Sequence, residues 1–200
     1  MLVIVRELAP IIMVLTILSF NCVAQQFRIE TDIYVDQSQK AVTENLTLFN
    51  EEGVFDFQLA RKSETPVEIV IYSFKEKKFT LLDPSRKIKY ELDQDKLEYF
   101  AQSLRDDKKF RERMPFMFEP KFKKTDSDKD GWLTLQSAQI EYRCKGDTPK
   151  RAEAMERYFE FIDQYALLNV TDPKKLPPFA RLELNEAIKE KGIMPKIVEM

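Results

Sequence analysis

The sequence predicts an α+β fold in which a curved, half-barrel-like antiparallel sheet of about eight strands packs against helices. Two features predict this fold. From Phe27 to Leu92 apolar and polar residues alternate with a period of two, and short polar turns interrupt the alternation. In the last third of the chain the apolar residues instead recur at helical spacing. We therefore expect one intervening helix and two C-terminal helices, all packed on the same domain.

Residues 1–24 are typical of a secretory signal peptide. Ile11–Phe20 is an apolar run, and Cys22 and Ala24 supply the small residues expected before a cleavage site after Ala24. A membrane-spanning helix needs about 20 apolar residues, about twice this run, so we expect cleavage and no stable transmembrane anchor. A retained anchor and lipid attachment at Cys22 are the alternatives. The mature protein is then periplasmic or extracellular, with a sheet region over 25–147 and a helical region over 148–200.

The composition excludes several classes of function. The chain has no histidine and only four glycines, so it lacks the residues of Ser-His-Asp catalysis, histidine-ligated zinc and glycine-rich phosphate loops. Its 32 basic and 34 acidic residues leave a net charge of −2, which does not favour nucleic acid as a partner. After cleavage Cys144 is the one remaining cysteine, so no internal disulfide can form. We predict a non-enzymatic protein.

Six strands are predicted to follow one another as an antiparallel meander. Their ranges are Phe27–Val35, Val42–Phe49, Phe55–Leu59, Val67–Phe74, Phe79–Leu82 and Ile88–Leu92. The second strand has an apolar side, expected to face the core, and a polar side, expected to face solvent. The apolar side carries Val42, Leu46 and Leu48, and the polar side carries Thr43, Asn45 and Thr47.

The rest of the chain is predicted from the same two periodicities. A helix follows the meander, capped by Asp93 or Asp95 and running through Leu104. The charged segment Asp106–Arg113 is expected to be a solvated connector. The other elements are a hairpin of Met114–Lys124 with Trp132–Arg143, a helix from Thr148 and Pro149 to Asn169, and a helix over Phe179–Lys191 that ends at Gly192.

Two exposed positions of the last helix, Arg181 and Glu183, are candidates for docking to a partner protein. The alternative is that Arg181 ties this helix to the sheet.

The chain is rich in aromatic residues, with 15 Phe and 7 Tyr. Core packing accounts for such residues, but an apolar groove between the sheet and its helices, able to hold an acyl chain, is the functional alternative. The expected lining of that groove is Phe55, Phe57, Leu59, Val70, Tyr72, Phe116 and Phe118.

One segment resembles a cation site. Residues 126–131 read Asp-Ser-Asp-Lys-Asp-Gly and resemble the calcium loop of EF-hand and dockerin-type modules. That resemblance implies Asp126, Asp128 and Asp130 as calcium ligands. Ser137 stands at the twelfth loop position, where a bidentate Glu belongs, and Asp-Gly is also a strong signal for a plain hairpin turn. Calcium is the one cofactor that the sequence suggests.

The order of elements over Phe27–Arg143 resembles the periplasmic lipoprotein-carrier (LolA-like) family. The resemblance implies a half-closed antiparallel sheet that wraps over helices and holds lipid acyl chains in its hollow. The helical tail from Thr148 departs from this pattern and could occupy the hollow itself. Two functions are expected: an exported protein that binds or carries an apolar or lipid ligand, or a structural or interaction protein of the cell envelope whose hollow is filled by its own C-terminal helices.

Overall fold

The structure is a computed structural model that describes residues 26–33, 41, 43–60, 65–127, 131–149, 152–173 and 175–200. The expected signal peptide and its cleavage site lie outside these ranges. Within the described ranges, no helix combines the length and the apolar character needed to cross a membrane.

The first six strands form one antiparallel sheet in which each strand pairs with the next along the chain. They are β1 (Phe27–Ile33), β2 (Thr43–Phe49), β3 (Gly53–Ala60), β4 (Pro66–Ser73), β5 (Lys78–Asp83) and β6 (Ile88–Asp93). Between β2 and β3 the side-chain oxygen of Asn50 accepts hydrogen bonds from the backbone N–H groups of Glu52 and Gly53, at 2.9 and 2.8 Å. The antiparallel meander predicted by the alternation is confirmed.

Helices and a second antiparallel sheet follow. The helices are α1 (Gln94–Asp106), α2 (Lys108–Arg113), α3 (Pro115–Phe118), α4 (Ala152–Leu167) and α5 (Phe179–Lys191). The strands are β7 (Lys123–Ser127), β8 (Trp132–Gln136), β9 (Glu141–Asp147) and β10 (Met194–Glu199), in the spatial order β10-β9-β8-β7. The fold is thus α+β as predicted, but its strands divide between sheets of six and four, and the expectation of one sheet of about eight strands is wrong.

The segment between the two sheets departs furthest from prediction. Met114–Phe118 was expected to be a strand, but Pro115 stands at the first position of α3, where its fixed φ angle and missing N–H suit a helix start. The charged connector contains α2, because the Asp107 carboxylate accepts hydrogen bonds from the first backbone N–H groups of that helix. Short helices of this kind depend on local caps, which an alternating apolar pattern does not reveal.

The second sheet also differs from the predicted hairpin. A turn interrupts the strand expected over Trp132–Arg143, with the Ser137 N–H donating to the Ile140 carbonyl at 2.9 Å. Strand β10 was not predicted, and it pairs with β9. Helix α5 has its predicted bounds, and Gly192 ends it in the left-handed conformation at φ 69°. The start of α4 predicted at Thr148 adjoins residues 150 and 151, which lie outside the described ranges.

The core lies between one face of the six-stranded sheet, helices α4 and α5, and the second sheet. We call this face of the six-stranded sheet the inner face. Its fully buried side chains are Phe49, Val54, Val70, Tyr72 and Phe79. The core also contains buried side chains of the other elements, among them Leu97 of α1, Leu133 of β8, Cys144 of β9, Phe159 and Phe161 of α4, and Leu184 and Ile188 of α5.

Strands β2 and β3 are turned the opposite way from the prediction. Thr47 and Asp56 are buried on the inner face, whereas Leu48 keeps 37% of its surface exposed. The expected orientation of the polar and apolar sides of β2 is therefore wrong. Alternation identifies which residues share a face, but the face that becomes buried depends on the elements that pack against it.

We predict that Gly53→Ala destabilises the protein more than Gly192→Ala. A Cβ atom at Gly53 overlaps the carbonyl oxygen of Tyr72 in the neighbouring strand, so the backbone of β4 must move. A Cβ atom at Gly192 meets nothing within 4 Å and adds only the strain of the left-handed conformation, about 1–2 kcal/mol. Urea unfolding of the two variants measures the difference. Equal losses of unfolding free energy would contradict the close strand approach at Gly53.

Candidate functional site

Helix α4 occupies the inner face of the six-stranded sheet. The ring of Phe161 lies 5.7 Å from that of Phe49 at 90°, and 6.4 Å from that of Tyr72. One turn earlier, the guanidinium of Arg157 donates to the Asn50 carbonyl at 2.7 Å. The helix therefore contacts both the strands and the β2–β3 turn, and its aromatic residues take the place that an apolar ligand would need.

A buried polar cluster lies under the same helix. The Asp56 carboxylate, on an aspartate only 3% exposed, accepts hydrogen bonds from the Thr47 hydroxyl at 2.6 Å, the Asn45 amide at 3.1 Å and the Tyr165 hydroxyl at 3.2 Å. Burial raises the pKa of this carboxyl above its usual value, and the three donors offset part of the rise. The Asn45 amide oxygen is buried with no hydrogen-bond partner among the described residues.

The expected ligand-lining residues do not come together on one face. Val70 and Tyr72 pair with Asp56 and Val54, so they lie on the inner face. Phe55, Phe57 and Leu59 alternate with those β3 residues and lie on the opposite face. Phe116 and Phe118 belong to α3, and the buried ring of Phe118 packs 4.9 Å from Phe179 of α5. The seven residues therefore cannot line a single hollow of the sheet.

The opposite face, which we call the outer apolar face, carries a continuous set of apolar side chains on β2 to β5. It consists of Leu46, Leu48, Phe55, Phe57, Ile69, Ile71 and Leu82. All seven lie outside the core formed by the described residues and outside the set of side chains packed against that core. The alternation along β2 and β3 contains the signal for this face, but Leu46 and Leu48 were expected to face the core, and Phe55 and Phe57 to line the groove.

An open groove of about 710 Å³ lies between α2, α3 and the β8–β9 turn. Phe116, Phe118 and Pro115 supply apolar lining, and Lys121 and Gln139 supply polar lining. Its Arg111 is paired with Glu119 at 3.0 Å, so part of the charge at the groove is already neutralised. Two of the predicted lining residues thus belong to a groove on the helices rather than to a hollow in the sheet.

The docking candidates on α5 differ in accessibility. The Arg181 Nε donates to the Asn185 Oδ1 at 3.1 Å, and the buried Asn185 in turn donates to Asp163 of α4 at 2.8 Å. Arg181 is half buried and its hydrogen bond lies within α5, so the alternative in which it ties this helix to the sheet stays a prediction. Glu183 is exposed, and partial desolvation raises the pKa of its carboxyl.

The proposed calcium loop is described only in part. The Asp126 carboxylate forms an ion pair with Lys191 of α5, while Asp128 and Asp130 lie outside the described residues. Among the residues that the structure describes, no group of three or more acidic or cysteine side chains is placed to hold a metal ion. The assignment of Asp126, Asp128 and Asp130 as calcium ligands stays a prediction.

Cys144 of β9 is fully buried. Burial raises the pKa of its thiol to about 11, so the reactive thiolate is scarce at neutral pH. This agrees with a packing role for the side chain.

In comparisons with protein-family models, curated proteins and solved structures, the chain matches none.

We predict that the unfolding free energy of Asp56→Asn, relative to that of the wild type, increases as the pH rises above the ordinary aspartate pKa of 3.8. The folded-state pKa of Asp56 lies above the unfolded value near 3.8, so the folded state holds more protons across the interval between them. The wild type therefore loses unfolding free energy as the pH rises through that interval, and the uncharged variant does not. The new amide can also donate to the unpartnered oxygen of Asn45.

Urea unfolding at a series of pH values measures this difference. Asp163 and Glu183 also have raised pKa values, but both are present in the variant and the wild type, so their contributions cancel in the comparison. Tyr165→Phe is the matched control: loss of one donor to the carboxylate should steepen the decline with pH. A constant difference between Asp56→Asn and wild type across the series would show that Asp56 is not strained by burial.

Proposed function

We propose that this chain is an exported, non-enzymatic protein of the cell envelope that works by binding other macromolecules. In this proposal the six-stranded sheet curves around α4 as a half-barrel, and the C-terminal helices fill the hollow. The observation that carries the proposal is the packing of Phe161 of α4 against Phe49 and Tyr72. Through this packing the chain's own helix covers the inner face. A covered hollow favours the interaction protein over the lipid carrier that the resemblance to the LolA-like family implies.

Further polar contacts hold α4 in this position. Its Glu160 forms an ion pair with Lys77 and lies 3.4 Å from the Tyr72 hydroxyl, which donates to the Gln94 amide oxygen at 2.8 Å. Arg157 also stacks over the ring of Phe74, 5.2 Å from its centroid. To admit an acyl chain to the inner face, the protein would have to break these contacts and expose the Asp56 cluster. An acyl chain has no polar group that could replace the lost contacts.

An apolar ligand remains the second candidate because of the groove at α3. Phe116 and Phe118 line this groove, and Lys121 at its rim offers a positive charge to an anionic headgroup. The groove is open and partly polar, which favours a peripheral contact over full enclosure of a chain.

We predict that Phe161→Ala lowers the unfolding free energy by about 3–5 kcal/mol, because it empties a buried aromatic position between helix and sheet. Phe110→Ala, on the exposed surface of α2, is the matched control and should cost much less. The same proteins are titrated with a fluorescent fatty acid. The interaction proposal expects no saturable binding to the wild type. Stoichiometric binding that Phe161→Ala strengthens would favour the carrier.

We predict that the full sequence, expressed in a bacterial host, yields a mature protein that begins at Gln25 in the exported fraction. Intact mass and N-terminal sequencing measure the cleavage. Ala24→Arg should block it, because a bulky charged residue does not fit the position before the cleaved bond, whereas Gln25→Ser should leave it unchanged. An uncleaved wild type in the cytosol would overturn the export proposal.

A further inference from the structure

The outer apolar face is organised as two cross-strand rungs with charged ends. The first rung runs Arg28, Leu48, Phe55, Ile71, Thr80, Glu91 from β1 to β6. The second runs Glu30, Leu46, Phe57, Ile69, Leu82, Lys89. Each rung thus has four inner positions and opposite charges at its two ends. Of the eight inner positions in the two rungs, seven are apolar. The order of the charges is reversed between the rungs.

An apolar surface of this extent is unusual on a sheet whose other face buries Thr47 and Asp56. With strands about 4.8 Å apart and about 3.3 Å of rise per residue, the whole outer side of the six-stranded sheet measures roughly 24 Å by 23 Å, or about 550 Å² in projection. The outer apolar face is the centre of this side, over four strands and two rungs. Side-chain relief enlarges the accessible area of the outer side toward the roughly 800 Å² that each partner buries in a standard protein interface. The outer side as a whole, with the outer apolar face at its centre and charged residues at its margins, is therefore large enough for a small, complete interface.

Within one copy the rung-end charges pair along each edge strand, Arg28 with Glu30 and Lys89 with Glu91. Their order also makes this face complementary to its own rotated image. A two-fold axis parallel to the strands places β1 of one copy over β6 of the other and keeps the two rungs in line. Arg28 then faces Glu91 of the second copy, and Glu30 faces Lys89. Beyond the second rung, the acidic pair Asp32 and Glu44 falls near the exposed Lys87 of the β5–β6 turn. A two-fold interface requires this kind of matching between a surface and its own rotated image.

Neither a membrane nor a lipid fits the same features as well. The four rung-end charges sum to zero, so the face has no basic surplus to attract anionic lipids. An acyl chain is usually held in a concave site that encloses most of its surface, which the open outer side of a sheet does not provide. A second sheet of the same dimensions does cover it, as in a β-sandwich with its sheets about 10 Å apart.

We propose that two copies of this chain associate through their outer apolar faces, with β1 of each copy over β6 of the other. This inference does not depend on the proposed function, since it concerns the described domain alone. Rings of Phe55 and Phe57 from both copies form the dry centre, and the rung-end charges form the rim.

The test measures self-association of the purified wild type by sedimentation velocity from about 1 to about 200 μM, with its N-terminus established by intact mass. We expect a concentration-dependent dimer. The double variant Phe57→Thr with Ile69→Thr should weaken it at least about 30-fold, because it removes two apolar anchors from the centre of the interface. Tyr99→Thr is the matched control, since Tyr99 is 70% exposed on α1, away from this face, and should change the constant by less than about threefold.

Charge reversal tests the orientation. Arg28→Glu alone should weaken the dimer about tenfold, and the combination of Arg28→Glu with Glu91→Arg should restore it to within about threefold of wild type. If β1 lay over β1 instead, the combination would bring like charges together and weaken the dimer further. A wild type that is monomeric throughout, a dimer insensitive to the Phe57 and Ile69 changes, or lipid binding in native mass spectra that these two changes abolish would each overturn the proposal. Circular dichroism confirms that each variant is folded.

Discussion

The docking of α4 on the six-stranded sheet is the interaction on which the rest of the structure depends. A meander of six strands has two faces, and nothing in the meander itself determines which one is buried. Phe161 seats between Phe49 and Tyr72, and one turn later Tyr165 reaches Asp56. These contacts join α4 to strands that are far from it in the sequence. The helix can therefore determine which face is buried only after it has packed against the sheet.

That selection explains the buried carboxylate. Asp56 is costly to desolvate, and its position is tolerable only because three donors converge on it from β2 and α4. Without Tyr165 the cluster would lose the one donor that comes from outside the sheet. The polar cluster therefore couples the register of β2 and β3 to the placement of the helix. A shift of one residue in β3 would bury Phe57 and expose Asp56, and a shift in β2 would bury Leu46 and turn Thr47 away from the carboxylate.

The sequence was sufficient for the elements that local patterns specify. The meander and α5 with its Gly192 end follow from alternation, helical spacing and capping, all of which are written within a few neighbouring residues. Other features depend on contacts between distant segments, and no short pattern encodes them. They are the packing position of Phe161, the division of the strands into two sheets, and the pairing of β10 with β9. For the site, alternation correctly grouped Phe55, Phe57 and Leu59 on one side of β3, but their separation from Val70 and Tyr72 required the register of β3 against β4.

The outer apolar face poses a problem that the fold must limit. Exposed apolar strands favour indefinite association, either face to face or by strand addition at an open edge. Strand β1 lies at one edge of the sheet and carries exposed charged residues, Arg28, Glu30 and Asp32, at alternate positions. Charged side chains on an edge strand oppose the addition of another strand. The charged rung ends limit face-to-face contact in a similar way. They already pair within one copy, and in a closed dimer each also faces an opposite charge, whereas in an offset arrangement it does not. A surface that is apolar at its centre and charged at both margins therefore favours a finite assembly over an open-ended one, because each copy that pairs leaves no equivalent face free for a third.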